Sequence, residues 1–405
     1  MPLQSFYADA SRNYPTIFDY AEKADMFGRS VIDEVYYESS ILADAMVKPT
    51  NDGLRERVVR RGEITDSGHV AALDEGYYGN RERTGNDEDS VGTMRVSDQI
   101  RWEHRQQLES VDNGEAARAD DIKTATDNLI NKKVDKLLYS NSINDSSTTK
   151  EKGKSIHGIM TYLEKCYDNE GYNKLFERTE QRKNPFTNVK DNLLSLSNYD
   201  ANRTDKDSSY GTSSKFTSVV GIAWGQNGSY TIFPSILSGK VAGYDFDYKM
   251  NIESTYIDPS DGIQKSIEYD RYNLDAYFGF AVANRYALNG IRNIYLGHSK
   301  KTAIFEEMEG VENKLIMLKD FFNQGHTGMN MTFYCAPRLI TQMEMYQKEK
   351  FASFSAVNGT REFDGTNPRM RPTSLRIAHD ITLVSDSGFS TIENYVSGTM
   401  SAGNV

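Results

Sequence analysis

Cysteine, tryptophan and long apolar runs are scarce in this sequence. Cys166 and Cys335 are its only cysteines, and two cysteines cannot hold a chain of 405 residues together by disulfide bonds. No apolar run approaches the ~18 residues that a membrane-spanning helix needs. The first residues also lack the basic and then apolar pattern of a secretory leader. These absences predict a protein that is made in the cytoplasm, is stabilised by packing and hydrogen bonds, and has no membrane partner.

Basic residues are outnumbered by acidic ones. The sequence has 47 Lys and Arg against 58 Asp and Glu, a formal net charge of −11. A dedicated nucleic-acid binder has to neutralise phosphates with Lys and Arg, so this balance argues against that class. Tyrosine is frequent, with 25 residues against 2 tryptophans. Tyrosine suits surfaces that are half buried against a partner as well as the edges of a sheet, and the sequence leaves both possibilities open.

A long two-stranded arm is predicted near the start of the chain. Residues 94–108 alternate between a mostly apolar and a wholly polar face, which is the period of a strand. Residues 54–73 are the expected partner strand, with a Gly/Asn/Asp-rich tip at 76–92 between the two. Such an arm reaches roughly 50 Å at about 3.3 Å per residue. Because an isolated hairpin is marginally stable in water, we expect the arm to lie on a neighbouring subunit.

The first strand of this arm is basic and its tip is acidic. Opposite charges on one projecting arm could set its register against adjacent subunits, or they could simply keep an exposed sheet face soluble, and both interpretations remain open. The residues predicted to contact other subunits are Arg55, Arg57, Arg60, Arg61, Tyr77, Tyr78 and Trp102.

Helical periodicity marks the segments on both sides of the arm. Residues 29–46 carry an amphipathic stripe that Pro49 should end. Asp112 and Glu115 have the spacing of a capping box, and they open a predicted rod helix that runs to about Tyr139. Residues 166–215 are polar and broken, and we interpret them as an insertion.

The second half of the chain predicts a mixed sheet and two more helices. Asn227-Gly228 predicts a tight hairpin within 218–234, and two long strands should meet at a turn over 258–262. Apolar residues from Ile304 to Phe322 step by helical spacing, and the short strand MTFYC precedes a helix that begins near Pro337. Residues 375–384 predict one strand, followed by a Ser/Gly-rich tail.

No pattern of catalytic, cofactor-binding or metal-binding residues is found. The six histidines are scattered, and the acidic clusters at Asp245-Asp247 and 87–89 lack the spacing of a calcium loop, which favours solvated acidic loops. Cys335 lies in an apolar stretch and is predicted to be a core residue. An alternative reading is a β-rich carbohydrate-active enzyme that pairs Asp245 or Glu253 with Glu268 or Asp270.

The order of these pieces resembles the major capsid proteins of tailed double-stranded DNA phages, which have the Hong Kong 97-like fold. Three stretches are similar to coat proteins of the epsilon15 and Bordetella-phage group of short-tailed phages: SVVGIAWGQNGSYTIFP, YDRYNLDAYFGFAVANRYAL and FYCAPRLITQM. The resemblance implies an α+β fold with a circularly permuted topology, because FYCAPRLI follows the YDRYNLDAYFGFAV strand instead of preceding the long terminal strand. The implied parts are an N-arm (1–50), an E-loop hairpin (51–111), a spine helix (112–140), the start of the peripheral and axial lobe (141–165), the insertion (166–215), the axial and peripheral domains (216–384) and a tail (385–405).

This resemblance also implies a function and a set of partners. It implies a structural protein without enzymatic activity or cofactor, which self-assembles as hexamers and pentamers into the icosahedral head of a virion around double-stranded DNA. A portal, and decoration or scaffolding proteins, are the implied partners, and DNA contacts would be non-specific. An encapsulin-like shell of a cellular compartment is the alternative that keeps the same fold.

Overall fold

The computed structural model describes residues 39–61, 86–103, 115–140, 156, 158–165, 193–196, 215–237, 243–257, 259–260, 262–324, 329–352, 374–377 and 381–393. The helices in these ranges are α1 (Ser40–Asp44), α2 (Glu115–Tyr139), α3 (Ile159–Lys165), α4 (Lys301–Gln324) and α5 (Pro337–Ala352). The strands are β1 (Val47–Pro49), β2 (Arg55–Arg61), β3 (Asn86–Gly92), β4 (Met94–Glu103), β5 (Leu193–Ser195), β6 (Phe216–Ile222), β7 (Ser229–Phe233), β8 (Tyr244–Ile257), β9 (Gln264–Val282), β10 (Leu288–Tyr295), β11 (Thr332–Cys335), β12 (Ser374–Ile377) and β13 (Ile381–Ser385). No helix among them is both long and apolar enough to cross a membrane.

A six-stranded sheet forms one centre of the fold. Its strand order is β12-β13-β11-β6-β10-β5, and β6 is buried at every position. Helices α4 and α5 cover this sheet, since their apolar residues share one core with it. The spacing that predicted α4 fits this packing, because Met308, Val311, Leu315, Leu318 and Phe322 are all buried.

A second sheet carries the long helix. Its order is β1-β7-β9-β4, with β8 also paired to β9. Strand β9 alternates between exposed and half-buried residues in its first part and is buried on both faces near its end. Helix α2, which is the predicted rod, packs its apolar stripe against β4 and β9 in a continuous core. The helix and the sheet together form one stiff body.

The predicted pairing of the arm strands is wrong. Strand β4 pairs along its whole length with β9, from Met94 opposite Phe278 to Glu103 opposite Tyr269. The partner of β2 is instead β3, which comes from the stretch predicted as the tip. The apolar face of β4 explains the difference, because helix α2 covers this face while β9 pairs with the edge of the strand, so more apolar surface is buried than in a free ribbon.

The Asn227-Gly228 turn is present, but its two strands do not form a hairpin. Strand β6 pairs with β10 and β11, whereas β7 pairs with β1 and β9 in the other sheet. Across this turn, the two flanking segments are joined by a single bridge between Trp224 and Ser229. The turn therefore passes the chain from one sheet to the other.

Both ends of the described chain differ from the sequence-based prediction. The helical stripe predicted over 29–46 contains α1, which ends at Asp44 before β1 begins, and residues 1–38 lie outside the described residues. The single strand predicted over 375–384 is an antiparallel pair, β12 and β13. Residues 386–393 were predicted as part of a tail, yet Asp386 and Phe389 are buried in the core.

Candidate assembly interface

Two exposed arginines lie on the outward face of the β2–β3 ribbon. Arg55 and Arg57 stand directly opposite Gly92 and Ser90 in the strand register. Glu88 pairs with Val59, two positions further along β2, so its register position is on the same face. Because directly opposed residues share one face of an antiparallel pair, this face carries residues of both charge signs.

The inward face of the same ribbon fixes its base to the second sheet. Val58 and Val91 pack with Met46, Tyr230, Ile232 and Ala281 in a small core of their own. Glu56 is also on this face and is 1% exposed. Its carboxylate accepts hydrogen bonds from Lys48 Nζ at 2.6 Å and from the Asn51 backbone N–H at 2.8 Å. These bonds offset the cost of burying the charge, and they hold the base of the ribbon in one orientation.

An apolar pair lies beside the base of this ribbon. Leu54 and Ile236 are 62% and 84% exposed. The Ser235 backbone N–H donates to the Gly53 carbonyl at 3.2 Å, which brings the short turn at 235–237 next to Leu54. The outward face of this ribbon thus has an apolar neighbour, and exposed apolar groups beside charges are typical of an interaction surface.

A second ribbon is formed by the distal parts of β8 and β9. Glu253 stands directly opposite Glu268, and Ile257 opposite Gln264. All four residues are exposed, and Ile257 is 70% exposed. This face is therefore acidic and partly apolar. The like charges across the two strands repel each other.

The carboxylates considered for a carbohydrate-active enzyme do not form an enclosed site. Glu253 and Glu268 lie on the open face of that ribbon. Asp270 is 5% exposed and binds Arg118, with 3.1 Å between its Oδ2 and the arginine Nη2. Asp245 stands opposite Asp275, whose two oxygens accept from Arg95. The buried carboxylates are occupied by arginines, which suits a structural role.

Other candidate chemistry among the described residues is equally structural. They contain no cluster of three or more His, Cys, Asp or Glu able to hold a metal ion. His298 is half buried with its Nε2 3.5 Å from the Glu307 carboxylate. Cys335 is fully buried, and burial raises the pKa of its thiol well above the ordinary value, so the reactive thiolate is disfavoured.

Trp102 lies in the core between helix α2 and the second sheet. It is 7% exposed, and its indole N–H donates to Asp121 on the helix at 2.8 Å. The Arg118 guanidinium lies 5.5 Å from the centre of the indole ring and also binds Asp270. The residue thus ties the helix to β4 within one chain.

A buried lysine lies deeper in the same interface. Lys133 on α2 is 7% exposed, and its Nζ donates to the Tyr244 hydroxyl at 3.0 Å. The ammonium lies 4.3 Å from the ring centre of Tyr244 and 5.4 Å from that of Phe278. Burial without a carboxylate partner lowers the pKa of Lys133 to about 7.

Asp386 joins the two ends of the described chain. Its carboxylate accepts from the Ser39 hydroxyl at 2.9 Å, from the Ile41 backbone N–H at 2.9 Å and from the Gly388 N–H at 2.8 Å. Burial nevertheless raises the pKa of this carboxyl group above its ordinary value, against the effect of these donors. Helix α1 is thereby held by a residue more than 340 positions away in the sequence.

The structure separates the residues predicted to contact other subunits. Arg55 and Arg57 are exposed together on one face. Arg60 and Arg61 continue β2, but their side chains lie outside what is described, and Tyr77 and Tyr78 lie outside the described residues altogether. Trp102 is covered by its own chain, which weighs against an inter-subunit role, although this role remains a prediction to be tested.

Sequence reasoning missed Lys133, Glu56 and Asp386. A signal existed for Lys133, because it falls three residues after Ile130 and four before Leu137 on the apolar stripe of α2. The alternation of β2 likewise places Glu56 on the same face as Val58. Nothing local predicts that Asp386 binds helix α1, because Ser39 and Ile41 lie at the other end of the described chain.

Comparison with known proteins identifies the fold. No protein-family model matches the sequence, and no curated protein matches it either. Among solved structures, the chain is similar to a subunit of bacteriophage epsilon15, with 14% sequence identity, a TM-score of 0.51, and coverage of 96% of this chain and 99% of that one. The chain is also similar to the bacteriophage JBD30 capsid, with 10% identity, a TM-score of 0.39, and coverage of 96% of this chain and 99% of that one. For a chain of Microbacterium phage Oxtober96 the identity is 8%, the TM-score is 0.34, and the coverage is 63% of this chain and 90% of that one. The predicted α+β, Hong Kong 97-like capsid fold is confirmed, while the permuted chain path remains a prediction.

Proposed function

We propose that this protein is a major capsid protein, which assembles as hexamers and pentamers into the icosahedral head of a virion. The observation that carries the proposal is the likeness to the epsilon15 structure over 96% of this chain and 99% of that one. At 14% sequence identity this likeness shows the fold, and the function needs a direct test.

The geometry of the described residues supports a building block. Helix α2 has 25 residues, which is roughly 37 Å at 1.5 Å per residue, and it is locked to the sheet by Trp102 and a continuous core. Two charged ribbons extend from this stiff body, and each exposes apolar side chains that the described chain leaves uncovered. A rigid body with exposed contact surfaces is what a repeating shell requires.

The net negative charge of the chain favours a shell protein that encloses DNA over a protein that binds DNA tightly. With a net charge of −11, the protein offers few phosphate contacts overall, so packaged DNA would be held by enclosure. A portal and decoration or scaffolding proteins are proposed as further partners. An enzymatic role is not favoured, because Glu253 and Glu268 are exposed on an open ribbon and Asp270 is bound to Arg118.

The test is to express the full chain and examine it by electron microscopy and analytical ultracentrifugation. Rings or closed shells are expected. Nucleic acid inside particles purified from infected cells would support a phage head, whereas an enclosed enzyme would point to an encapsulin-like compartment. A compact monomer at high concentration, with or without co-expressed phage assembly proteins, would contradict the proposal.

A further inference from the structure

The segment that follows strand β13 holds the start of the described chain. We name residues 386–393 the C-terminal strap. Its first residue, Asp386, accepts hydrogen bonds from the Ser39 hydroxyl and the Ile41 backbone N–H, both at 2.9 Å. The Asp386 backbone N–H donates to the Cys335 carbonyl at 2.9 Å, at the end of strand β11. The strap thus fixes the position of helix α1 relative to the six-stranded sheet.

The middle of the strap lies against helix α2. A Cβ on Gly388 would stand 2.1 Å from Val134 Cγ1, so a residue without a Cβ is needed where the strap passes the helix. Ser390 donates its backbone N–H to the Tyr139 hydroxyl at 3.0 Å, at the last residue of α2. The C-terminal half of the rod helix therefore contacts the strap at two points.

The last residue of the strap joins this helix to the six-stranded sheet. The Glu393 carboxylate accepts from the Tyr139 hydroxyl at 2.8 Å and from the Ser218 hydroxyl at 2.6 Å. The backbone of Glu393 pairs with Phe216 of strand β6 through two hydrogen bonds of 3.0 and 3.2 Å. One short segment thus connects α1, the end of α2 and β6.

The attachment of the strap is mostly polar, so the strap can open without unfolding the subunit. Phe389 is its buried apolar side chain, at 3% exposed, whereas Ile392 is 71% exposed. The other described members of the two large cores lie outside the strap. Local opening costs less free energy than global unfolding when few apolar contacts are lost. Both sheets would therefore remain folded in a subunit whose strap is released.

The strap is made after each of these partners. Residues 39–41, 134–139, 216–218 and 335 all precede it in the sequence, in the case of Ile41 by 345 positions. Because a chain is synthesised from its N-terminus, α1, α2 and β6 are present before the strap can dock. Docking of the strap therefore marks a chain that is complete at least to Glu393.

We propose that the C-terminal strap is a latch that controls assembly: a subunit joins a shell only while its strap is docked. This inference rests on the proposed shell function and adds a regulatory step to it. A subunit in a ring contacts its neighbours through different surfaces, and the ring closes only if these surfaces keep one relative orientation. The docked strap fixes α1, α2 and β6 relative to one another. Release of the strap removes this restraint and leaves a folded subunit that does not assemble.

One full-length variant can be studied with its strap released or locked. It carries Glu393→Ala, which removes the acceptor of the Tyr139 and Ser218 hydroxyls, together with Val134→Cys and Gly388→Cys. The Cβ positions of residues 134 and 388 are 3.3 Å apart, close to the ~3.5–4.5 Å of a disulfide. In the reduced form the added side chain at 388 crowds the helix and favours release. Oxidised glutathione would form the disulfide and hold the strap in place, and a Cys166→Ser background leaves the buried Cys335 as the one other thiol.

The readout is the protein concentration needed for assembly, measured by analytical ultracentrifugation and electron microscopy. The reduced variant should need a concentration at least about tenfold higher than wild type, which corresponds to a docked strap in about one subunit in ten. The oxidised variant should assemble at nearly the wild-type concentration. The matched control is Val311→Ala, which removes buried volume in helix α4 at a cost of about 2 kcal/mol, far from the strap in the fold's other core cluster, and should assemble normally.

Hydrogen exchange measured by mass spectrometry would follow the strap directly. In the unassembled reduced variant, the amides of 386–393 should exchange faster than in wild type, while those of β6 and β13 keep their protection. The proposal is overturned if the reduced variant, with its strap exchanging fast, assembles like wild type, or if β6 and β13 lose protection together with the strap. It is also overturned if the oxidised variant assembles no better than the reduced one, or if Val311→Ala impairs assembly equally. These results would leave the shell function standing, whereas a wild-type chain that never assembles would refute the shell function itself.

Discussion

A Lys133→Met variant tests how the interface between helix α2 and its sheet tolerates a buried charge. Burial lowers the pKa of this lysine from 10.5 to about 7. The unfolded chain keeps the ordinary pKa, so between pH 7 and 10.5 the unfolded state binds a proton that the folded state does not. The free energy of unfolding of the wild type should therefore rise with pH across this window by about 1.4 kcal/mol per pH unit, and be flat with respect to this group below pH 7.

The size of the effect follows from the surroundings of the amine. Burial alone corresponds to about 5 kcal/mol over the whole window. Methionine carries no charge but loses the hydrogen bond to the Tyr244 hydroxyl, which costs about 1 kcal/mol. The variant should thus be more stable than wild type by about 4 kcal/mol at pH 7, and less stable by about 1 kcal/mol above pH 10.5.

Urea unfolding of the unassembled subunit at pH 7, 8.5 and 10 would measure this reversal. The control is Lys132→Met on the same helix, because Lys132 is 55% exposed and lies 3.8 Å from Asp98. Its stability should differ little from wild type across the same pH range. If Lys133→Met followed the pH dependence of wild type, or were the less stable protein at pH 7, the argument from burial would be refuted.

Three further substitutions probe the packing of the described chain. Trp102→Ala should destabilise the subunit by about 3–5 kcal/mol in urea unfolding, because a buried indole and its hydrogen bond are lost. If the variant subunit instead had unchanged stability but failed to assemble, the predicted inter-subunit role would be supported. Asp386→Ala removes the acceptor of two buried donors, the Ser39 hydroxyl and the Ile41 N–H, at about 1–3 kcal/mol each, so limited proteolysis should cleave near helix α1 faster. An unchanged cleavage rate would contradict this anchor. Gly388→Ala should lower the unfolding temperature, at a cost of about 1–3 kcal/mol, because its Cβ would stand 2.1 Å from Val134 Cγ1. Gly92→Ala, whose Cβ would meet no atom within 4 Å, is the control and should unfold near the wild-type temperature.

Long periodic segments were predictable because their pattern is local. The rod helix α2 and helix α4 carry apolar residues at helical spacing over about four to five turns, and both are helices in the structure. The strands β8 and β9 and the turn between them also agree with the prediction. The order of these segments, together with three short sequence stretches, was enough to indicate the capsid fold.

The candidate interface was predictable only in part. The alternation of β2 indicates that Arg55 and Arg57 share a face, but the sequence does not show what lies opposite them. Trp102 illustrates the limit, because an aromatic residue on a predicted arm suggests a contact with a partner, whereas β9 and α2 bury it within its own chain. That Glu253 and Glu268 stand side by side emerges only from the register of β8 on β9.

The sequence by itself determined the long helices α2 and α4 and the alternating strands β4 and β9, because periodicity and turn residues act over a few positions. The tertiary structure decided which strands pair, since β4 has the same alternating pattern whether its partner is the neighbouring arm strand or the distant β9. It also decided that the Asn227-Gly228 turn joins two sheets and that Asp386 anchors helix α1. Such choices depend on the apolar area that each alternative buries and on hydrogen bonds between residues hundreds of positions apart, which only the folded chain brings together.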